Sequence, residues 1–276
     1  MKDKPLVSII VTTKNEERNI TNCLKSIQDQ SYKKIEIIVV DNNSSDNTIE
    51  LAKKFTTKVF NKGPERSTQR NFGASKARGE YLLFLDCDMI LRKNIVGDCV
   101  KKINSNPDLK AVTIPEESIG EGYWAQCKRL ERSFYFGVDW IEAPRFFHHK
   151  VFKEFKGYDA KNTGTEDFDL PQRIKYKYGK ESVARINTPL KHNEGKLSLT
   201  RTVQKKYYYS KKLGVYVSKK ENTDLFKQQS NLLGRYRIFL SRPDLLFKNP
   251  KYTVGLFIMK TSEFAAGGFG YFLSKK

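Results

Sequence analysis

Gly79-Glu80-Tyr81-Leu82-Leu83-Phe84-Leu85-Asp86-Cys87-Asp88 places five consecutive apolar residues between a glycine and two carboxylates. An apolar run without polar alternation reads as a strand buried on both faces, the kind that parallel sheets contain. It ends abruptly at Asp86-Cys87-Asp88. Upstream, Leu6-Val7-Ser8-Ile9-Ile10-Val11 and Ile35-Glu36-Ile37-Ile38-Val39-Val40 are two further runs of this type. Ile20, Leu24 and Ile27 recur at helical spacing between them, and Ile49, Leu51, Ala52 and Phe55 follow the second. A helix carrying Arg66, Arg70 and Ala74 leads back to Gly79. Strand and helix thus alternate three times, which predicts a Rossmann-like α/β fold with a mostly parallel central sheet flanked by helices.

Ligands of such sheets bind beyond the carboxyl ends of the strands. Asn15, Asp41, Asp86 and Asp88 all follow predicted strands, so side chains remote in sequence are expected at one rim. The period of two in extended backbone would put Asp86 and Asp88 on the same side. Paired hard oxygens suit Mg2+ or Mn2+, which could neutralise a departing nucleoside diphosphate. A charged turn capping the next helix is the plainer account of the same residues. Thr12 and Asn15 read equally as loop formers, and Asp41 as a side chain satisfying turn amides. Arg66 and Arg70, four apart, could present guanidinium groups to phosphates, although a solvated face suits Arg66 better.

Three stretches now carry a resemblance. Val7-Ser8-Ile9-Ile10-Val11-Thr12-Thr13-Lys14-Asn15-Glu16, Ile38-Val39-Val40-Asp41-Asn42-Asn43-Ser44-Ser45-Asp46 and the segment from Gly79 to Asp88 together resemble glycosyltransferase family 2. The likeness is strong over residues 6 to 90 and extends more thinly to about residue 195, where Gly164-Thr165-Glu166-Asp167-Phe168-Asp169-Leu170 is similar to the family's acidic motif. It implies a GT-A fold and an inverting, metal-dependent transfer of a sugar from a nucleoside-diphosphate sugar to a glycan or lipid-linked acceptor. By that likeness Thr12, Asn15 and Glu16 line the nucleotide pocket and Asp41 contacts the base. Asp86 meets the ribose or the metal, and Asp88 the metal and diphosphate. Asp167 is the expected base, with Glu166 raising its pKa or touching the acceptor, and Asp169 as the weaker alternative. His192 lies where related enzymes return a histidine to the metal or diphosphate. A lipid-phosphate acceptor, already ionised, would need no base; this is the polyprenyl-phosphate transferase alternative. Thr165, Glu166 and Asp167 also suit the start of a helix containing Leu170 and Ile174, where acidic groups favour the positive dipole end.

Further along, Lys110 to Ile114 suggests a strand and Gly122 to Gly137 a helix. His148 and His149 are assigned only a surface position. The parts expected are residues 1–115 for the nucleotide sugar, 116–195 for the acceptor and catalysis, and 196–276 as a basic helical extension. That extension holds 17 Lys plus Arg against 4 Asp plus Glu, the larger share of a net charge of +20. Leu232, Leu233, Tyr236, Ile238, Phe239, Leu240, Leu245, Leu246 and Phe247 interleave there with Arg235, Arg237 and Arg242. This composition suits either an anionic bilayer surface or packing onto the rest of the chain. Tyr252 to Leu273, interrupted by Lys260 and Glu263 and carrying four glycines, fits an interfacial segment better than an unaided span.

Positive charge also raises the question of nucleic acid. The rim carboxylates would repel a polyanion, so no nucleic-acid partner is expected. A nucleotidyltransferase would carry a glycine-rich phosphate loop after the first strand, and none stands there. Met1-Lys2-Asp3-Lys4-Pro5 lacks the apolar stretch of a signal peptide, and Cys23, Cys87, Cys99 and Cys127 form no CxxC pair. A cytoplasmic protein, peripheral at the inner face of the cell membrane, is the expectation.

Overall fold

The computed structural model describes residues 4–274; the charged opening Met1-Lys2-Asp3 lies outside the described residues. The chain runs β1 (Val7–Thr13), α1 (Ile20–Gln28), β2 (Ile35–Asp41), α2 (Thr48–Lys53), β3 (Val59–Asn61), α3 (Arg66–Lys76), β4 (Tyr81–Asp86), β5 (Met89–Ile90), α4 (Ile95–Asn104) and β6 (Ala111–Thr113). It continues through β7 (Glu116–Glu121), α5 (Gly122–Ser133), β8 (Pro144–His148), α6 (His149–Glu154), α7 (Glu166–Tyr178), β9 (Val183–Arg185) and β10 (Leu190–Lys196). Among the described residues it closes with α8 (Leu199–Ser210), α9 (Gly214–Val217), α10 (Thr223–Gln229), α11 (Leu232–Leu240), α12 (Pro243–Lys248) and α13 (Pro250–Leu273).

These elements form two units that interleave in sequence. The first comprises the chain up to Pro115, Ala143–Lys161 and Glu166–Lys191; the second comprises Glu116–Glu142, Asn162–Thr165 and the chain from His192 onward.

A seven-stranded sheet of order β3-β2-β1-β4-β8-β6-β9 is the spine of the first unit. β1 runs parallel to both β2 and β4, and β8 is antiparallel to β4 and β6. The sheet is therefore mostly parallel and flanked by helices, as the alternating runs predict. Every residue of β1 and β4 is buried because both faces are covered. Val7, Ile9, Val11, Leu83 and Leu85 pack with Ile20, Leu24 and Ile27 of α1 and Ile95, Cys99 and Ile103 of α4. Ile10, Leu82 and Phe84 turn the other way, against Ala74 of α3, Val151 and Phe152 of α6, and Leu170 and Ile174 of α7. Side-chain alternation in a strand thus feeds two separate cores. β8 has no sequence signal of its own, and the surface position expected for His148 at its end and His149 at the start of α6 is corrected: both are half-buried, His148 4.8 Å from the Tyr81 ring and His149 Nδ1 2.9 Å from the carbonyl of Gly79.

In the second unit, Phe134, Tyr135, Ile141, Phe239, Leu246 and Leu256 make the apolar centre. Lys260 and Glu263, the charges that interrupt the apolar run of α13, are both buried. Lys260 Nζ lies 2.5 Å from Glu131 of α5 and also pairs with Glu263, while Lys128 Nζ lies 2.9 Å from Glu131. Among the described residues, no helix is long and apolar enough to cross a membrane.

Candidate active site

Strand register brings the rim together. Thr12 of β1 stands opposite Asp86 of β4, and Thr13 stands opposite Asp41 of β2, so three strands end at one level. Thr12 Oγ1 donates to Asp86 Oδ1 at 3.1 Å. Burial alone would raise the Asp86 pKa, but Arg70, Arg66 and Arg145 outweigh it and hold the carboxyl far below its ordinary value. Their nitrogens lie 2.9, 3.4 and 3.8 Å from its oxygens. Arg66 is thus drawn to the rim and not left on the solvated face the sequence suggests.

Arg70 is 0% exposed and joins two parts of the unit. One arm meets Asp86; the other, Nη1, donates to Asp167 Oδ1 at 2.5 Å and lies 3.8 Å from Glu166. The Tyr158 ring lies 5.3 Å from the guanidinium carbon. Desolvation works against the charge, yet Asp167 and Asp86 more than compensate and raise the Arg70 pKa well above its ordinary value. Helix α3 delivers these groups because Arg66, Gln69, Arg70 and Gly73 share one face. Gly73 allows a close approach, since a Cβ there would meet Val40 Cγ2 at 3.1 Å. Gln69 Nε2 donates to the carbonyls of Thr13 and Val40 at 3.0 and 2.7 Å, tying the helix to the ends of β1 and β2.

Glu166 and Asp167 open α7, where three acidic groups occupy the first turn. Burial and the neighbouring Asp167 raise the Glu166 pKa. The Asp167 side chain keeps 24% exposure against 4% for Glu166, so it is the more accessible of the two. Asp169 is fully buried and accepts from Arg173 Nε at 3.0 Å, so its position is a structural one.

Loops 14–19 and 42–47 are stitched to each other. Asp41 accepts from the Ser44 backbone N–H at 2.7 Å and from Ser44 Oγ at 2.5 Å. Ser44 Oγ in turn accepts from the Asn15 N–H, and Asn15 Oδ1 accepts from the Ser45 N–H at 2.9 Å. Asn15 sits at φ 53°, a left-handed conformation that asparagine tolerates. Glu16 has a raised pKa, first from burial and then from Asp88, Asp46 and Asp86, against a lowering hydrogen bond from Asn19. Glu16 thus feels the carboxylates of Asp88, Asp46 and Asp86 together.

Cys87 and Asp88 form a turn after β4, so the two-residue strand period does not govern their side chains. Among the described residues no cluster of three or more His, Cys, Asp and Glu could hold a metal ion. Magnesium-like ions are commonly held by one or two carboxylates plus substrate phosphates, so a single Asp88 carboxylate fits Mg2+ or Mn2+ bound together with a diphosphate. His192 belongs to the second unit, where its Nδ1 lies 3.1 Å from Glu116, which also meets Arg132 at 3.1 Å. Sequence reasoning missed Gln69, Arg145 and Tyr158. Only Gln69 had a local signal, its place on the Arg66–Arg70 face; Arg145 and Tyr158 arrive through long-range packing.

The family described as Glycosyl transferase family 2 matches residues 8–165, more than half of the chain. A Campylobacter jejuni protein, GalNAc(5)-diNAcBac-PP-undecaprenol beta-1,3-glucosyltransferase, is 34% identical over 110 residues, covering 36% of this chain and 35% of its own. The chain spans about a third of the length of the curated relatives it matches first. Among solved structures, the Pyrobaculum calidifontis mannosyltransferase PcManGT in complex with GDP-Man and Mn2+ is similar over 100% of this chain and 89% of that one, with a TM-score of 0.68 and 15% identity. Glucosyl-3-phosphoglycerate synthase from Mycobacterium tuberculosis, in complex with Mn2+, UDP and phosphoglyceric acid, gives a TM-score of 0.57 at 15% identity, over 78% of this chain and 79% of that one. The GT-A arrangement is the fold held in common.

Proposed function

We propose that this chain, which belongs to glycosyl transferase family 2, transfers a sugar from a nucleoside-diphosphate sugar to a glycan or lipid-linked acceptor with inversion at the anomeric carbon. The observation that carries this reading is the buried guanidinium of Arg70 held between Asp86 at the strand ends and Asp167 at the start of α7. Asp41, Thr12, Asn15 and Glu16 line the nucleotide side, with Asp41 toward the base and Asp86 toward the ribose. We give the cation to Asp88 and not to Asp86, because a divalent ion at Asp86 would face three guanidinium groups. Mg2+ or Mn2+, when bound, supplies Lewis-acid neutralisation of the leaving diphosphate. His192, a metal ligand by the family likeness, is oriented within the second unit by the Glu116 carboxylate, the usual form of a metal-ligating imidazole.

Asp167 takes the proton of the attacking hydroxyl. It is exposed enough to meet an acceptor and is oriented by Arg70, while the buried Glu166 beside it holds the local acidic environment. Four buried, unlinked cysteines accord with a reducing, cytoplasmic setting.

The test is a thermal-unfolding series with UDP- and GDP-sugars, with and without Mn2+. One donor class should stabilise the chain, by about 2.7 kcal/mol at a hundredfold excess over Kd, and Mn2+ should increase the effect. Asp88→Ala should remove the Mn2+ increment without lowering the ligand-free Tm. Absence of stabilisation by every donor would overturn the reading.

A further inference from the structure

The second unit carries an apolar surface that its own core leaves uncovered. In α11 and α12, Phe239 and Leu246 are buried and Tyr236, Ile238 and Leu245 pack against them. Leu233, Leu240 and Phe247 instead stand 68%, 62% and 81% exposed, at intervals of seven residues. Arg237 and Lys248 are exposed among them, whereas Arg235 turns inward, its guanidinium carbon 4.5 Å from the Trp140 ring centre. The packing account of this segment therefore holds for Tyr236, Ile238, Phe239, Leu245 and Leu246, and leaves Leu233, Leu240 and Phe247 exposed.

Helix α13 continues the pattern. Its inner face carries Leu256, Met259, Lys260 and Glu263, and its outer face exposes Val254 and Ile258 and is uncharged as far as Phe272. The Tyr236 hydroxyl and Thr261 Oγ1, 2.5 Å apart, join α11 to that outer stripe, and Thr253 Oγ1 donates to the Leu246 carbonyl at 2.6 Å, joining α12. The two exposed apolar stripes thus adjoin.

We infer that this surface docks flat on an anionic phospholipid bilayer, with Leu233, Leu240 and Phe247 entering the acyl boundary and Arg237, Lys248 and Lys251 at the headgroups. Charge selects the occupant. Residues 196–276 carry a net charge of +13, so a second copy would meet like charge while an anionic leaflet meets its complement. Nucleic acid would satisfy the charge and could stack on Phe247, but has no use for the exposed Leu233, Leu240, Val254 and Ile258. The inference goes beyond the sugar-transfer reading and does not depend on it.

The experiment is co-sedimentation of the full chain with vesicles of phosphatidylcholine alone and of phosphatidylcholine mixed with phosphatidylglycerol. Binding is expected to the mixed vesicles and to weaken with salt. The triple variant Leu233→Ser, Leu240→Ser, Phe247→Ser should bind at least about tenfold more weakly while its Tm and donor response are unchanged. Equal binding by the variant, no binding to anionic vesicles, or a concentration-dependent dimer or duplex-DNA complex that the variant abolishes would each overturn the inference.

Discussion

Arg70 shows how far a side chain's role depends on its partners. From its position on α3 it is expected at phosphates; in the fold its arms are engaged by Asp86 and Asp167. A buried cation flanked by carboxylates is costly to remove, because the remaining charges lose their compensation. Arg70→Met should therefore destabilise the chain by about 3–5 kcal/mol in urea unfolding. Arg70→Lys should rescue little, since an ammonium lacks the planar fork that serves two carboxylates at once. Asp167→Asn keeps the shape of the site but removes the proton acceptor, and should slow transfer to a hydroxyl acceptor by about a hundredfold or more. An unchanged rate would indicate an acceptor that is already ionised, such as a lipid phosphate.

Helix α13 illustrates why composition alone misjudges an element. Lys260 and Glu263 within this mostly apolar helix of 24 residues argue against a membrane span, yet where those charges point is a matter of neighbours. Lys260 enters the second unit between Glu131 and Glu263, and the three charges, with Lys128, compensate one another. Lys260→Met should cost about 3–5 kcal/mol because it leaves two buried carboxylates, Glu131 and Glu263, with only Lys128 to compensate them. Adding Glu131→Gln should recover part of that loss, which a double-mutant cycle on denaturant midpoints would measure. Additive losses would mean that the two side chains act independently.

Several carboxylates in both units set the acid limit of the whole molecule. Glu36 is raised by burial but lowered more strongly by Lys58, Ser8 and the Arg78 N–H, reaching about 2 from an ordinary 4.5. Asp86, Glu131 and Glu263 are also depressed, each against its own burial and by neighbouring cations. A depressed carboxylate stabilises the fold above its unfolded pKa and loses that contribution as pH falls through the folded value. Stability should consequently fall from pH 4.5 toward 2, and Glu36→Gln should flatten part of that slope in urea titrations at stepped pH. Glu16 and Glu166, both raised, act oppositely and lose stabilising effect as pH climbs above 4.5. Identical pH profiles for the parent and Glu36→Gln would refute the Glu36 assignment.

Strand and helix order, the parallel sheet and the carboxylates at its rim were all legible in the chain, because backbone hydrogen bonding and two-sided burial impose local periodicities that residues 6–90 obey. β8 was not, since Pro144–His148 is short and gains its place only by pairing with β4 and β6. Nor could any local pattern reveal that Arg145 reaches Asp86 and Tyr158 reaches Arg70, that Asp88 leaves the strand for a turn, or which leucines of α11 face outward. Periodicity specifies which residues form an element, whereas side-chain partners depend on contacts between segments far apart in sequence, and only the folded chain brings those together.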